Sequence, residues 1–268
     1  MIRDITIGQY YPRDSFIHKL DPRTKIIGTF IYIISLFLFR KFIPYLVVFG
    51  FLGLIIKTSE VPIKHILKGL KSIMFLLIFA VVFNIFLTPG DVLWKWGFLK
   101  ITRQGIEIAG FMAIRLILLI MGSSLMTFTT TPNHLTDGLE KIMNPLKKIK
   151  VPVHEIAMMM SIALRFIPIL LEETDKIMKA QMARGADFES GNLIKKAKSL
   201  VPLLVPLFVS AFRRANDLAM AMEARCYHGG EGRTKMKPLQ YHKQDAIAYV
   251  ILAGYLVVLV LVKVVSPF

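Results

Sequence analysis

Hydrophobic positions in this chain follow two patterns. In the first, apolar residues run on with almost no polar break, at 26–39, 42–56, 72–88, 106–128 and 246–262. A helix needs about 20 such residues to cross the hydrocarbon core of a bilayer, and these runs approach or reach that length. We therefore expect five membrane-spanning helices. The first two are separated only by Arg40 and Lys41. A single helix over 26–56 would hold that charge pair in mid-membrane. A hairpin of two short helices keeps it outside, with Pro44 in the first turn of the second.

The second pattern fills 129–245, where apolar residues recur every three or four positions among 18 lysines and arginines. Thr131-Pro132 reads as a cap and first turn, leading a face of Leu135, Leu139, Ile142 and Leu146. Pro145 and the basic run Lys147, Lys148, Lys150 close that helix. A second helix is expected from Pro152 to about Arg184, kinked at Pro168 and stopped by Gly185. After a turn at Ser190-Gly191-Asn192, a third runs from Leu193 to about Arg225, interrupted around Pro202 and Pro206. Residues 151–171 and 199–212 are apolar but carry His154, Glu155 and Arg165 or are short. We expect them along the cytoplasmic membrane face rather than across it. The predicted fold is an all-α polytopic membrane protein: 1–128 with four spans, 129–245 as a cytoplasmic set of long helices, and 246–268 with the fifth span.

Charge adds an orientation. The formal net charge is +16 and the mean hydropathy +0.57, with 54% hydrophobic residues. Such apolarity excludes an ordinary soluble domain, and the basic residues flank apolar runs instead of forming an aromatic–basic nucleic-acid motif. Arg3, Arg13, Lys19, Arg23 and Lys25 precede the first run; Lys57, Lys64, Lys68 and Lys71 follow the second. The other side holds Arg40, Lys41, Lys95, Lys100, Arg103 and Lys263. The balance predicts a plasma (inner) membrane protein with its N-terminus and 129–245 cytoplasmic. The first twenty residues lack the apolar core of a signal peptide. The single Cys226 excludes an internal disulfide, and with His154 and His228 it has no metal-site spacing.

Two helix ends nearly repeat. Ala183-Arg184-Gly185 and Ala224-Arg225-Cys226 stand 41 residues apart, each closing a long Ala- and Met-rich helix. A cation in the last turn complements the helix dipole, which accounts for either arginine alone. The pair has a second reading, as two docking knobs whose guanidinium forks engage carboxylates or carbonyls in grooves of paired partners. Met158, Met159, Met160, Met178, Met182, Met220 and Met222 crowd the same helices; they fill a core or form a surface that repacks against exchangeable partners. Ala163, Ala180, Ala211, Ala215, Ala219 and Ala221 would let these helices cross closely. Arg115 is a charge within the fourth span, expected to pair with Asn84 or a backbone carbonyl or to face substrate or a partner. Glu172, Glu173 and Asp175 beside Lys176 and Lys179 read as a solvated face, and His154 as a surface residue. GGEGRTK at 229–235 lacks phosphate-loop spacing and reads as a linker; Asp21-Pro22-Arg23 organises the start of the first span.

The stretches IGQYYPRDSFIHKLDPRTKI and TTTPNHLTDGLEKIMNPLKKIKVPVHEIAMMMSIALRFIPILLEE, with the two Ala-Arg-x ends, resemble the transmembrane T component of energy-coupling factor (ECF) vitamin transporters, of the shared-module type. The resemblance covers about residues 6–264. It implies that Ala183, Arg184 and Gly185, and Ala224, Arg225 and Cys226, end two cytoplasmic coupling helices docked on two ABC-type ATPase subunits. Cys226 departs from the glycine common there. It also implies a non-catalytic subunit with no cofactor or metal of its own, ATP and Mg residing on the ATPases, coupled to an exchangeable substrate-binding S component. The methionines would form part of the S-component surface. A self-contained secondary transporter or channel is the alternative, and it would have to work with Asn84, Glu107 and Arg115.

Overall fold

A computed structural model describes residues 10–39, 42–96, 99–186, 188, 192–230, 232, 234 and 236–265. Arg3, Arg40, Lys41, Ser190, Gly191 and part of the 229–235 stretch therefore lie outside the described residues. The described chain forms two compact units, one of 10–142 with 239–265 and one of 143–238.

The first unit is built from α1 (Pro22–Phe37), α2 (Phe42–Ser59), α3 (Ile63–Leu87), α4 (Arg103–Thr129), α5 (Pro132–Met143) and α8 (Lys243–Val265). Its core is a seam of Tyr32, Leu36, Val48, Leu52, Leu118, Leu125, Tyr255 and Leu259 from α1, α2, α4 and α8. Outward, Phe30, Phe37, Phe49, Phe75 and Val264 are more than half exposed, the reverse of a water-soluble surface and suited to lipid. Two polar contacts bridge helices inside the layer: Tyr32 donates to the Leu118 carbonyl at 2.9 Å, and Ser35 bonds the Tyr255 hydroxyl at 2.7 Å. Gly122 is required where the Tyr32 ring lies against α4, since a Cβ there would strike it.

Helices α2, α4, α6 and α8 are each long and apolar enough to cross a membrane, and α3, bent by 61° between Lys71 and Ile73, makes a fifth. Gly69, the most permissive residue of this helix, lies just before the bend. Among the described residues four helices, or five counting the bent α3 as one span, are thus long and apolar enough to cross, against the expected five, and the membership differs. At 16 residues α1 reaches only about 24 Å, and α6 qualifies by length and composition.

One element was not expected. Strands β1 (Val92–Trp96) and β2 (Leu99–Thr102) form an antiparallel hairpin between α3 and α4. Its ends are tied by side chains. Gln104 accepts from the Asp91 N–H at 2.7 Å and donates to its carboxylate at 2.8 Å. Thr102 caps α4 by accepting from the Gly105 N–H at 3.0 Å.

The second unit holds a 3-10 turn (Asn144–Ile149), α6 (Val153–Ala183) and α7 (Leu193–Ala224). The expected cap at Thr131 is present just before it, accepting from the His134 N–H at 3.4 Å. The expected break around Pro202 and Pro206 is not: α7 is continuous through both prolines. Pro206 has no N–H for the Pro202 carbonyl four residues back, and Gln181 of α6 donates to that carbonyl instead, at 3.4 Å. A bond from the neighbouring helix thus replaces one that the sequence removes.

Candidate functional site: twin arginine caps on a crossed helix pair

Helices α6 and α7 run antiparallel. Glu173 meets Ser210 and Arg214, while eight residues further along α6 Gln181 meets Pro202, earlier in α7. Ile162, Phe166 and Leu170 face Ala211, Ala215 and Ala219 across the crossing, so the small residues lie where one helix approaches the other. At the centre is one polar clasp. Arg214 donates to a Glu173 oxygen at 2.9 Å, and the Ser210 hydroxyl donates to the other. The reading of Glu173 as part of a solvated face is therefore corrected: it is half-buried and held by the partner helix. His154 is likewise not a simple surface residue. It is half-buried, with the Gly230 backbone against its ring.

The two arginine ends are built alike. In α6 the Ala186 N–H bonds the Gln181 carbonyl at 3.0 Å and the Gly185 N–H bonds Met182 at 2.9 Å. In α7 the Tyr227 N–H bonds Met222 at 3.1 Å and the Cys226 N–H bonds Glu223 at 2.8 Å. Both are complete Schellman closures, with Arg184 and Arg225 at the C-cap, one residue past the last helical residue. The residue after each is left-handed, Gly185 at φ +87° and Cys226 at +55°. Every partner in one closure lies 41 residues from its counterpart, the same separation that relates Glu173 to Arg214. The clasp therefore lies midway. Arg184 and Arg225 each stand 11 residues beyond a clasp residue, roughly 16 Å along helices that run oppositely. Both arginines, with Ala183, Gly185, Ala224 and Cys226, are exposed.

Of the methionines singled out, Met159, Met160, Met182 and Met220 are exposed, whereas Met158, Met178 and Met222 are half-buried. Sequence reasoning missed a larger apolar stripe on α7: Leu200, Val201, Leu204, Val205, Phe208, Val209 and Phe212 are all exposed. Its spacing of three to four is visible in 199–212, the segment expected along the cytoplasmic membrane face, but its individual exposed residues were not singled out.

In the first unit Arg115 is held by two hydrogen bonds. Its Nε donates to the Tyr45 hydroxyl at 3.0 Å and a terminal nitrogen donates to the Phe39 carbonyl at 3.1 Å. Tyr45 in turn donates to the carbonyls of Leu36 and Phe39 at 3.4 and 3.3 Å. Together they serve the Leu36 carbonyl in the last turn of α1, which has no intrahelical donor, and the Phe39 carbonyl just beyond it. The backbone-carbonyl partner was expected; Asn84 bonds Ala80 and Met112 instead.

A second buried knot closes the start of α1. The Asp21 carboxylate accepts from the Arg23 N–H and guanidinium at 2.8–2.9 Å. Burial pushes this carboxyl up, but the bonds from Arg23 outweigh it and hold it below its ordinary range. Asp245, 1% exposed, accepts from the backbone N–H groups of Asp21 and His242, both at 2.8 Å. Lys25 donates to the carbonyls of His18 and Thr129 at 3.0 and 2.8 Å. The network ties together the first turn of α1, the last of α4 and the first of α8. Among the described residues no three His, Cys, Asp or Glu side chains converge as a metal site.

These features define a polytopic all-α membrane protein carrying a crossed pair of long helices with matched arginine ends. The profile of the CbiQ cobalt transport protein family matches residues 13–236. The chain is 60% identical to the energy-coupling factor transporter transmembrane protein EcfT of Ruminiclostridium cellulolyticum, over 92% of each chain. It is 60% identical to the EcfT of Clostridium kluyveri, over 92% of this chain and 93% of that one. With the EcfT of Bacillus subtilis it shares 47% identity over 96% and 98%. The chain belongs to the CbiQ/EcfT family of transporter transmembrane proteins.

Proposed function

We propose that this chain is the non-catalytic coupling subunit of an ECF importer of the shared-module type. Arg184 and Arg225 dock on two ABC-type ATPase subunits, which carry ATP and Mg. The crossed helices lie on the cytoplasmic side with 129–245, and they pass the ATPases' closure to an exchangeable S component that binds the vitamin. The observation that carries this reading is the equivalence of the two ends: identical closures, 41 residues apart, disposed about one clasp. A two-fold arrangement of knobs suits a pair of similar sockets. Arginine's planar fork suits a carboxylate or carbonyl groove, and such residues dominate interface energies. The exposed stripe from Leu200 to Phe212, with Met159, Met160, Met182 and Met220, supports a partner surface that can repack.

The test is purification in mild detergent with identification of what accompanies the chain. Two ATPase subunits and a small hydrophobic protein are expected, with uptake in liposomes that requires ATP. A chain that purifies alone and transports without ATP would overturn the reading.

A further inference from the structure

The first unit contains a cavity of about 170 Å³ that the coupling role does not use, walled by α1, α2, α4 and α8. Thr24 and Lys25 of α1, Thr58 of α2 and Thr129 of α4 line one end, with Lys25 bonded to the Thr129 carbonyl, and the other polar lining residues are Thr29, Tyr32 and Tyr249. Tyr32, Phe51 and Gly122 line its depth, and each is seven residues from the rim residue of its own helix. Three helices thus give the same depth, roughly 10 Å. At this end the Thr24 hydroxyl, in a residue only 5% exposed, has no hydrogen-bond partner among the described residues. Lys25 uses two of its three N–H groups on carbonyls. The neighbouring carboxylates are occupied, Asp21 by Arg23 and Asp245 by backbone N–H groups.

Size and polarity select the occupant. A helix with its side chains is about 10 Å across and does not fit. A cavity of about 150 Å³ accepts an apolar group the size of benzene, so this one takes a segment of a single hydrocarbon chain. Water would need two to four polar partners; below the Thr24–Lys25 end α1 offers only the hydroxyls of Thr29 and Tyr32, and Tyr32 already donates to the Leu118 carbonyl. A mostly apolar slot among membrane helices, with a hydroxyl and an ammonium at one end, has the polarity gradient of a phospholipid. We propose that this cavity binds one phospholipid of the surrounding bilayer, with an acyl chain in the slot and its phosphate at Thr24 and Lys25.

Gly28 allows a direct test. It lines the cavity, and a Cβ there meets nothing within 4 Å, so Gly28→Leu fills the slot without a backbone clash. The full chain is placed in vesicles of phosphatidylethanolamine and phosphatidylglycerol doped with a phosphatidylglycerol carrying a mid-chain diazirine. After illumination the labelled peptides are mapped. Labelling is expected to concentrate on 51–55 and 122–126 and to fall roughly tenfold in Gly28→Leu, the equivalent of about two buried methylenes. Even labelling of all apolar faces, or labelling unchanged in Gly28→Leu, overturns the proposal. Thr24→Val preserves shape and removes the hydroxyl. By native mass spectrometry it is expected to lower retained phospholipid several-fold while leaving a diacylglycerol with the same chains unaffected. Equal loss of both, or of neither, rules out the assignment of the phosphate to this rim.

Discussion

Arg115 and the pair Arg184 and Arg225 are the same residue type in two regions with opposite fates. In the first unit the guanidinium of Arg115 is spent on Tyr45 and on the Phe39 carbonyl, and Asp245 and Lys25 are spent in the same way on backbone groups. On the crossed helices the two arginines are exposed, and α7 also carries an exposed apolar stripe from Leu200 to Phe212. A buried charge must be paired within the fold because an unpaired one costs several kcal/mol. An exposed one carries no such requirement and remains available. The difference separates residues that finish a fold from residues that present it to partners.

The sharpest break in that comparison is the double variant Arg184→Ala with Arg225→Ala. Hot-spot arginines contribute about 2 kcal/mol or more each, so ATPase association should weaken by two orders of magnitude or more. The chain's own stability should change by no more than about 0.5 kcal/mol, as for other exposed sites. Pull-down and uptake read the first, thermal unfolding in detergent the second. Unchanged association would reduce both arginines to dipole caps. The converse is expected of Asp245→Ala. It leaves the N–H groups of Asp21 and His242 without an acceptor, each bond to a charged group being worth about 1.5–3 kcal/mol. A lowered unfolding midpoint is expected, with ATPase binding by the molecules that stay folded unchanged. Arg115→Met should fall between these. Tyr45 continues to serve the α1 carbonyls, so the loss is about 1–3 kcal/mol. A fall in transport without loss of stability would instead make Arg115 a contact for substrate or S component.

How much of this was legible in the sequence follows the reach of each signal. Caps are local: Thr131-Pro132 and Gly185 announce their turns through side-chain oxygen and φ freedom alone, and both are where the sequence put them. Four of the five apolar runs coincide with helices long and apolar enough to cross, because burying apolar length is likewise a property of the segment itself. What failed needed a partner from elsewhere. Nothing near Pro206 says that Gln181 will supply the missing bond to the Pro202 carbonyl, so α7 read as broken. Glu173 sits among charges and read as solvated, since Arg214 and Ser210 reach it only once the helices cross. The hairpin of 92–102 depends on Gln104 reaching back to Asp91, which periodicity does not register. The arginine ends were visible as a repeat; that they flank a common clasp was not, because it takes the antiparallel crossing to place Glu173 between them.

The smallest expected effect tests how equivalent the two ends are. Gly185 and Cys226 occupy the same left-handed position, at φ +87° and +55°. An L-residue there costs about 1–2 kcal/mol from Cβ crowding the backbone, and glycine avoids this while losing roughly 0.5–1 kcal/mol more chain entropy on folding. The α7 end therefore carries a strain that the α6 end lacks. Cys226→Gly should stabilise the closure by ~0.5 kcal/mol, and Gly185→Ala should destabilise its counterpart by a similar amount. Hydrogen exchange of the closing amides, those of Cys226 and Tyr227 against those of Gly185 and Ala186, reads each end separately. If Cys226→Gly slows exchange at its own end and leaves ATPase binding unchanged, the thiol contributes nothing to docking and the two ends present equivalent arginines. If exchange slows but association weakens, the Cys226 side chain is itself a contact, and the two ends meet different ATPase surfaces despite their matched backbones.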